Sequence, residues 1–115
     1  MIAWKVDYWD AHKKGESSVE AILDRLTDEQ FKSVAKEIKL LEICGNTLQL
    51  PHSKSLGNKL FELRERRFGY RIYYTFFKDK IIIMLHAGDK SKQRNDIKIA
   101  RDRLVELLKE NRYEN

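Results

Sequence analysis

One hundred and fifteen residues, 42% of them apolar, suffice for one domain with a real though small core. The lone cysteine, Cys44, excludes an internal disulfide, and the longest apolar run, residues 81–85, is too short to span a bilayer. The net charge of +5 is unevenly held: residues 54–94 carry eleven Lys or Arg against four Asp or Glu, whereas residues 1–53 carry seven against nine and residues 95–115 five of each. A cationic region of this kind suits a polyanion, most often nucleic acid. With no signal-type apolar core at the N-terminus, the expected location is the cytoplasm, with no membrane partner.

In chain order, the aromatic and β-branched stretch 2–9 predicts a first strand, followed by a polar break at 12–16. Ser17 or Ser18 is placed to cap a helix with Val19, Ile22, Leu23 and Leu26 at helical spacing. Thr27-x-x-Gln30 is a capping-box pattern opening a second helix, whose stripe runs Phe31, Val34, Ala35, Ile38, Leu41 and for which Gly45 is a natural stop. Residues 46–58, with Pro51 and Gly57, read as a loop. Three strands then follow closely, 60–65, 70–77 and 81–87, and short connections make antiparallel hairpins the natural pairing. Asn95 or Asp96 starts a last helix with Ile97, Ala100, Leu104, Leu107 and Leu108 on one face. The expectation is a single α+β domain over residues 1–115, order β-α-α-β-β-β-α, with a small twisted antiparallel sheet and the helices packed on one side.

Alternate residues of a strand face opposite sides, so parity sorts the side chains. Phe61 and Leu63 point one way and Glu62 and Arg64 the other; Arg71 and Tyr73 alternate with Tyr70, Ile72 and Tyr74; Ile82, Met84 and His86 alternate with Ile81, Ile83 and Leu85. If the registers agree, Arg64, Arg71, Tyr73 and His86 share one open, ligand-facing surface. Lys54, Lys59, Arg66, Arg67 and Arg94, with Tyr73 as a stacking surface, are the candidate RNA contacts.

Residues 56–107 resemble the RelE/HigB type of toxin, particularly its phage-derived addiction module killer branch. Three motifs carry the resemblance, in the family's order and spacing: Leu-Phe-Glu-Leu-Arg (60–64), Tyr-Arg-Ile-Tyr-Tyr (70–74), and Leu-His-x-Gly-Asp-Lys-Ser-Lys-Gln-x-x-Asp-Ile-x-x-Ala (85–100). The resemblance implies a small twisted sheet with helices on one side, cleavage of messenger RNA on the ribosome, and silencing by a cognate helix-turn-helix antitoxin. It also implies two lysines on the strand that here carries Glu62 and Arg64, and a tyrosine that does not follow the loop 90–94; the RelE-like catalytic set is therefore not carried over.

The chemistry can be argued from the residues alone. Cleaving RNA by in-line attack of the 2′-hydroxyl needs charge stabilisation at the phosphoryl oxygens, plus groups that remove and deliver a proton. Arginine grips phosphate with a planar fork but does not deprotonate, so Arg64 and Arg71 fit the first task. His86, Lys90 and Lys92 are the candidates for moving the proton, and the sequence leaves them open. His12, His52, His86 and Cys44 have no metal-ligand spacing, and no Walker-type loop or dinucleotide fingerprint is present, so neither metal nor small-molecule cofactor is expected. Two other classes fit a basic sheet: a ParE-like toxin that poisons gyrase through protein contacts, and a non-catalytic RNA-binding module. An antitoxin would find apolar surface on the helix pair, with the nearby Trp4 and Trp9 as candidate anchors.

Overall fold

A computed structural model describes residues 3–9 and 19–112; Ser17 and Ser18, expected as caps, lie outside the described residues. The chain runs β1 (Lys5–Tyr8), α1 (Val19–Asp24), α2 (Asp28–Cys44), β2 (Ser53–Gly57), β3 (Leu60–Arg64), β4 (Tyr70–Phe77), β5 (Ile81–Asp89) and α3 (Gln93–Arg112). Short 3₁₀ turns, Gly45–Thr47 and Lys90–Lys92, follow α2 and precede α3. The strands form one sheet in the order β1-β5-β4-β3-β2. Three antiparallel hairpins account for β2 to β5, as short connections require, but β1 pairs parallel to β5, so the sheet is mixed. The two helices between β1 and β2 form the long connection that a non-hairpin arrangement needs.

β2 falls in the segment expected to be a loop. It is a short edge strand of polar composition, Ser-Lys-Ser-Leu-Gly, with a register shift between Ser55 and Gly57. Such a strand carries no apolar alternation to announce it, and its shortness, lysine and irregularity are what protect an edge from further pairing. The turn into β3 is made by Gly57, Asn58 and Lys59, all at positive φ.

The capping box forms as the sequence predicts: the Gln30 N–H donates to the Thr27 hydroxyl and the Thr27 N–H to the Gln30 side chain. At the other end of α2, Gly45 stops the helix at φ 54, and its N–H returns to the Leu41 carbonyl. Glycine is required there for a second reason, because the Trp4 indole lies where a Cβ would be. The last helix begins at Gln93, earlier than expected, because Asp89 accepts from the Ser91 N–H and starts the helical winding one turn sooner.

The helices do not share one side. Val34, Ile38 and Leu41 of α2, with Val19 and Leu23 of α1, pack on Leu63, Ile72, Tyr74, Ile82 and Met84. Ala100 and Leu104 of α3 pack on the opposite face with Leu60, Tyr73, Ile83, Leu85 and Trp9. A sheet with apolar side chains on both faces must be covered on both, which corrects the expectation of helices on one side. The outcome is an α+β fold with a twisted mixed sheet flanked by helices.

Candidate functional site

Arg64 ends β3 and stands directly opposite Arg71 near the start of β4, while Tyr73 stands opposite Glu62 on one side and His86 on the other. The four expected side chains therefore share a face, though strict alternation alone does not put them there. The β4–β5 register slips between Tyr73 and Tyr74, so that Tyr74 faces Met84 and Tyr73 faces His86, leaving Leu85 as the extra residue. This bulge turns His86 to the Tyr73 side while Ile82 and Met84 stay on the other, the re-aiming for which bulges are known.

That face is not open where it was expected to be. α3 crosses it, leaving Arg71 at 6% exposure, His86 at 7% and Tyr73 at 0%. Arg71 Nη1 donates to Glu62 Oε1 at 3.1 Å, and Gln93 of α3 donates to Glu62 Oε2 at 2.8 Å. Arg64 Nε approaches the same carboxylate at 3.5 Å, with its side chain still about a third exposed at 32%. Glu62 is thus a buried anion shared by two arginines and an amide. It gathers the two forks at one end of the sheet.

His86 is the second buried node. Its Nε2 lies 2.9 Å from Asp96 Oδ1, and Arg103 Nη1 lies 3.2 Å from its Nδ1 and 2.8 Å from the Leu85 carbonyl. Arginine only donates, so Nδ1 accepts and Nε2 carries the proton given to Asp96. Burial first, and then the Arg103 charge, hold the imidazole pKa below its ordinary 6.5 against the upward pull of Asp96. Both ring nitrogens are occupied and the ring is neutral, which removes His86 from the candidates for a free proton carrier and makes it a residue that seats α3. Asp96 reaches it only because residue 88 is glycine; a Cβ there would collide with the carboxylate. Arg103 also stacks on the Trp9 ring, 4.4 Å from its centroid.

Tyr73 lies among Leu60, Leu85 and Ala100 under α3. A base cannot stack on it, which corrects that expectation. Burial, with Glu62 and Asp96 nearby, pushes its hydroxyl above the usual tyrosine value. Three buried donors on or beside this face, Arg64 Nε, Arg71 Nε and Tyr73 Oη, have no hydrogen-bond partner among the described residues.

The remaining cations divide by position. Lys90 lies against the β3–β4 turn, its stem within 3.7 Å of where a Gly69 Cβ would be. Lys92 and Arg94 line an open cleft of about 510 Å³ with Ser91, Asn95 and Lys98 at the start of α3. Arg66 and Arg67 are exposed on the β3–β4 turn. That turn is held by Glu65, whose carboxylate accepts from the Ser33 hydroxyl and from the N–H groups of Arg67, Phe68 and Tyr70. Lys59 is not part of the cluster: it sits in the β2–β3 turn, at the far end of β3 from Arg64, roughly 17 Å away at a strand's rise. Lys54 stands opposite Glu62 on the edge strand and is exposed.

In the sequence, Gln93 and Asp96 stand out only as motif positions and Asp96 as a helix start, Arg103 not at all, and none of the three, nor Glu62, is assigned to the site. A signal existed for the helix: 93, 96, 100, 103, 104 and 107 fall on one helical face, so Asp96 and Arg103 are polar residues inside an apolar stripe. Among the described residues, no group of three or more His, Cys, Asp or Glu is placed to hold a metal ion, and no helix is long and apolar enough to cross a membrane.

This architecture is that of a RelE-like toxin fold: a double-arginine mutant of the E. coli toxin RelE, solved in the free state, superposes with a TM-score of 0.58 at 13% identity, over 84% of this chain and 96% of that one. The likeness is one of fold. At the level of sequence, residues 21–105 match the family described as Phage derived protein Gp49-like (DUF891), and the chain belongs to that family. No curated protein matches it.

Proposed function

We propose that this protein is the toxin of a type II toxin–antitoxin system, a cytoplasmic endoribonuclease that cuts messenger RNA on the ribosome and is restrained by a cognate helix-turn-helix antitoxin. The observation that carries the reading is the arginine pair: Arg64 and Arg71, opposite each other on β3 and β4, are gathered by buried Glu62 at the end of the sheet beside Lys90. Two forked cations held in register suit the phosphoryl charge that develops during 2′-hydroxyl attack, and a fixed donor costs no reorganisation at the moment of reaction. Arg64 keeps about a third of its side chain exposed, leaving part of its fork for a phosphate, while buried Arg71 fixes the shared Glu62 carboxylate beside it. With His86 committed to Asp96 and Arg103, proton transfer falls to the exposed Lys90 or Lys92. The reaction is proposed as metal-independent because the carboxylates at the site, Glu62 and Asp96, are each engaged by a neighbour. Arg66, Arg67 and Arg94 are proposed as RNA contacts.

A second reading, an RNA-binding module without cleavage, is favoured by one observation: the buried titratable groups of this face, Glu62 and His86, are already partnered. The test is a purified translation system with primer extension on one message. Arg71→Lys is the variant of choice, because Arg71→Ala would leave Glu62 buried without its closest cation. Cutting by the wild type, slowed on the order of a hundredfold in Arg71→Lys with the fold retained, is the expected result. RNA binding without cutting would establish the second reading, and equal cutting of naked and translated message would refute ribosome dependence.

A further inference from the structure

The cationic surface does not stop at the sheet. On α2, Glu29, Lys32, Ser33, Lys36 and Glu37 form one stripe at helical spacing, and with Arg66 and Arg67 of the β3–β4 turn they line an open cleft of about 480 Å³. This cleft is on the α2 side of the molecule, whereas the Lys92 and Arg94 cleft is at the start of α3. The β3–β4 turn lies between them: it contributes Arg66 and Arg67 to one, and its Gly69 backs onto Lys90, which leads into the other. The cations therefore continue around the end of the sheet from one side to the other.

We infer that the cleft between α2 and the β3–β4 turn is an RNA-docking surface, in which Lys32 and Lys36 contact the sugar-phosphate backbone of the RNA that is presented to Arg64 and Arg71. The inference rests on the reading of this protein as one that acts on RNA, and deepens it by naming an anchoring surface outside the strands. Three observations select the occupant. The cleft is lined by no apolar side chain; an acidic protein segment would have no buried anchor to fill, whereas a phosphate backbone needs only charge. The polar groups at its floor are spent, since the Ser33 hydroxyl and the Arg67 and Phe68 N–H groups all point to Glu65. Of the two carboxylates in the lining, Glu37 is held by His52 Nδ1 at 3.0 Å and Glu29 braces Arg67 at 3.5 Å, so the exposed cations Lys32, Lys36 and Arg66, with Arg67 also over the Phe68 ring at 4.8 Å, outnumber them for a partner. A row that grips backbone and reads no base gives affinity without sequence preference.

The experiment is fluorescence anisotropy of a labelled RNA hairpin across a salt series, comparing wild type, Lys32→Ala/Lys36→Ala, and Lys39→Ala as a control on the same helix that lies outside the cleft. All three positions are exposed, and circular dichroism verifies the fold. In the double variant we expect affinity to fall on the order of tenfold at low salt and the slope of log K against log salt to become shallower by about one to two units; the control should do neither. A double variant that binds the hairpin like the control overturns the inference. So does one that keeps its RNA affinity but loses binding to poly-glutamate, which would assign the cleft to an acidic protein. Because anisotropy reads binding without cleavage, a protein that docks RNA here but never cuts it would sink the endoribonuclease reading and leave this one standing.

Discussion

The two faces of one sheet are built on opposite principles. Under α1 and α2 the contact is mainly apolar: Val34, Ile38 and Leu41 meet Leu63, Ile72, Tyr74, Ile82 and Met84, the Ser53 and Tyr74 hydroxyls satisfy each other, and the one buried carboxylate, Glu65, is met by the Ser33 hydroxyl at the end of β3. Under α3, Leu60, Tyr73, Leu85, Ala100 and Leu104 share the interface with five buried ionisable side chains, Glu62, Arg71, His86, Asp96 and Arg103. Burying a charge pair is weak support for stability, since apolar residues of similar volume often do as well or better. The apolar face supplies the larger core cluster, while the charged face holds its geometry at a cost in stability. In this protein the cost goes to aligning Arg64 and Arg71.

The largest expected effect tests the charged face directly. Glu62→Ala leaves Arg71 buried without its anion and should cost about 3–5 kcal/mol, whereas Glu62→Met/Arg71→Met removes both charges and should recover most of that loss. Urea denaturation of the two variants is the check. A single variant that unfolds at the wild-type midpoint would show that the carboxylate does not matter to Arg71 and would dissolve the contrast between the faces.

On the apolar face, Leu41→Ala removes a fully buried side chain facing the sheet. A cavity there should cost about 2–5 kcal/mol. The useful part is what should stay constant: RNA affinity per folded molecule, measured where the variant is still native. If affinity falls with stability, the two faces are coupled through the sheet and the division argued above is too sharp.

How much of this was legible follows from what each signal encodes. Apolar stripes and the capping box are local, and they placed α2 and the strands β3, β4 and β5 to within a residue or two. β2 was not legible because a polar edge strand has no alternation to read. The exposure of the charged face was misjudged for a related reason. Parity tells which side chains share a face, but only tertiary packing tells what covers it, and α3 brings Asp96 and Arg103 down onto that face. The Leu85 bulge has no sequence mark at all: Ile-Ile-Ile-Met-Leu reads as unbroken strand, and only the pairing with β4 shows which residue is extra.

Acid should separate the faces in two stages, more gently than the substitutions do. The folded His86 pKa is lowered, chiefly by burial, so below 6.5 the unfolded chain binds a proton that the native chain resists, and stability falls as pH drops through that window. Glu65 acts lower down. Burial alone would raise its pKa, but hydrogen bonds from Ser33 and from the Tyr70, Phe68 and Arg67 N–H groups outweigh it and hold the value below 4.5. Its stabilisation is present above 4.5 and is lost as pH falls toward the lower folded value. Denaturation midpoints across pH should fall first below 6.5 and again below 4.5, and His86→Gln should flatten the first fall while keeping the second. An unchanged first fall in that variant would mean that another group carries it.

The smallest difference expected is between two helix caps. Thr27 caps α2, on the apolar face, and Asp89 caps the turn that carries Lys90 and Lys92, at the charged end. Replacing either by alanine removes a side-chain acceptor from a backbone N–H and should cost about 1 kcal/mol. The consequences should nevertheless differ. α2 is pinned along its length by Val34, Ile38 and Leu41, so a frayed first turn in Thr27→Ala loosens Glu29 at the rim of the α2 cleft but leaves Lys32, Lys36 and Arg64 in place, and RNA affinity should stay within about twofold, a change below 0.5 kcal/mol. The Lys90–Lys92 turn has no buried residue of its own to hold it, and Asp89 also accepts from the Ser91 hydroxyl. In Asp89→Ala the two lysines lose their fixed approach to the Arg64 and Arg71 pair. Message cutting should then drop several-fold more than in Thr27→Ala at equal stability, even though the variant removes a negative charge and would on charge alone bind RNA more tightly. Equal cutting by the two cap variants at matched folded concentration would place Lys90 and Lys92 outside the working geometry and return proton transfer to an unassigned group.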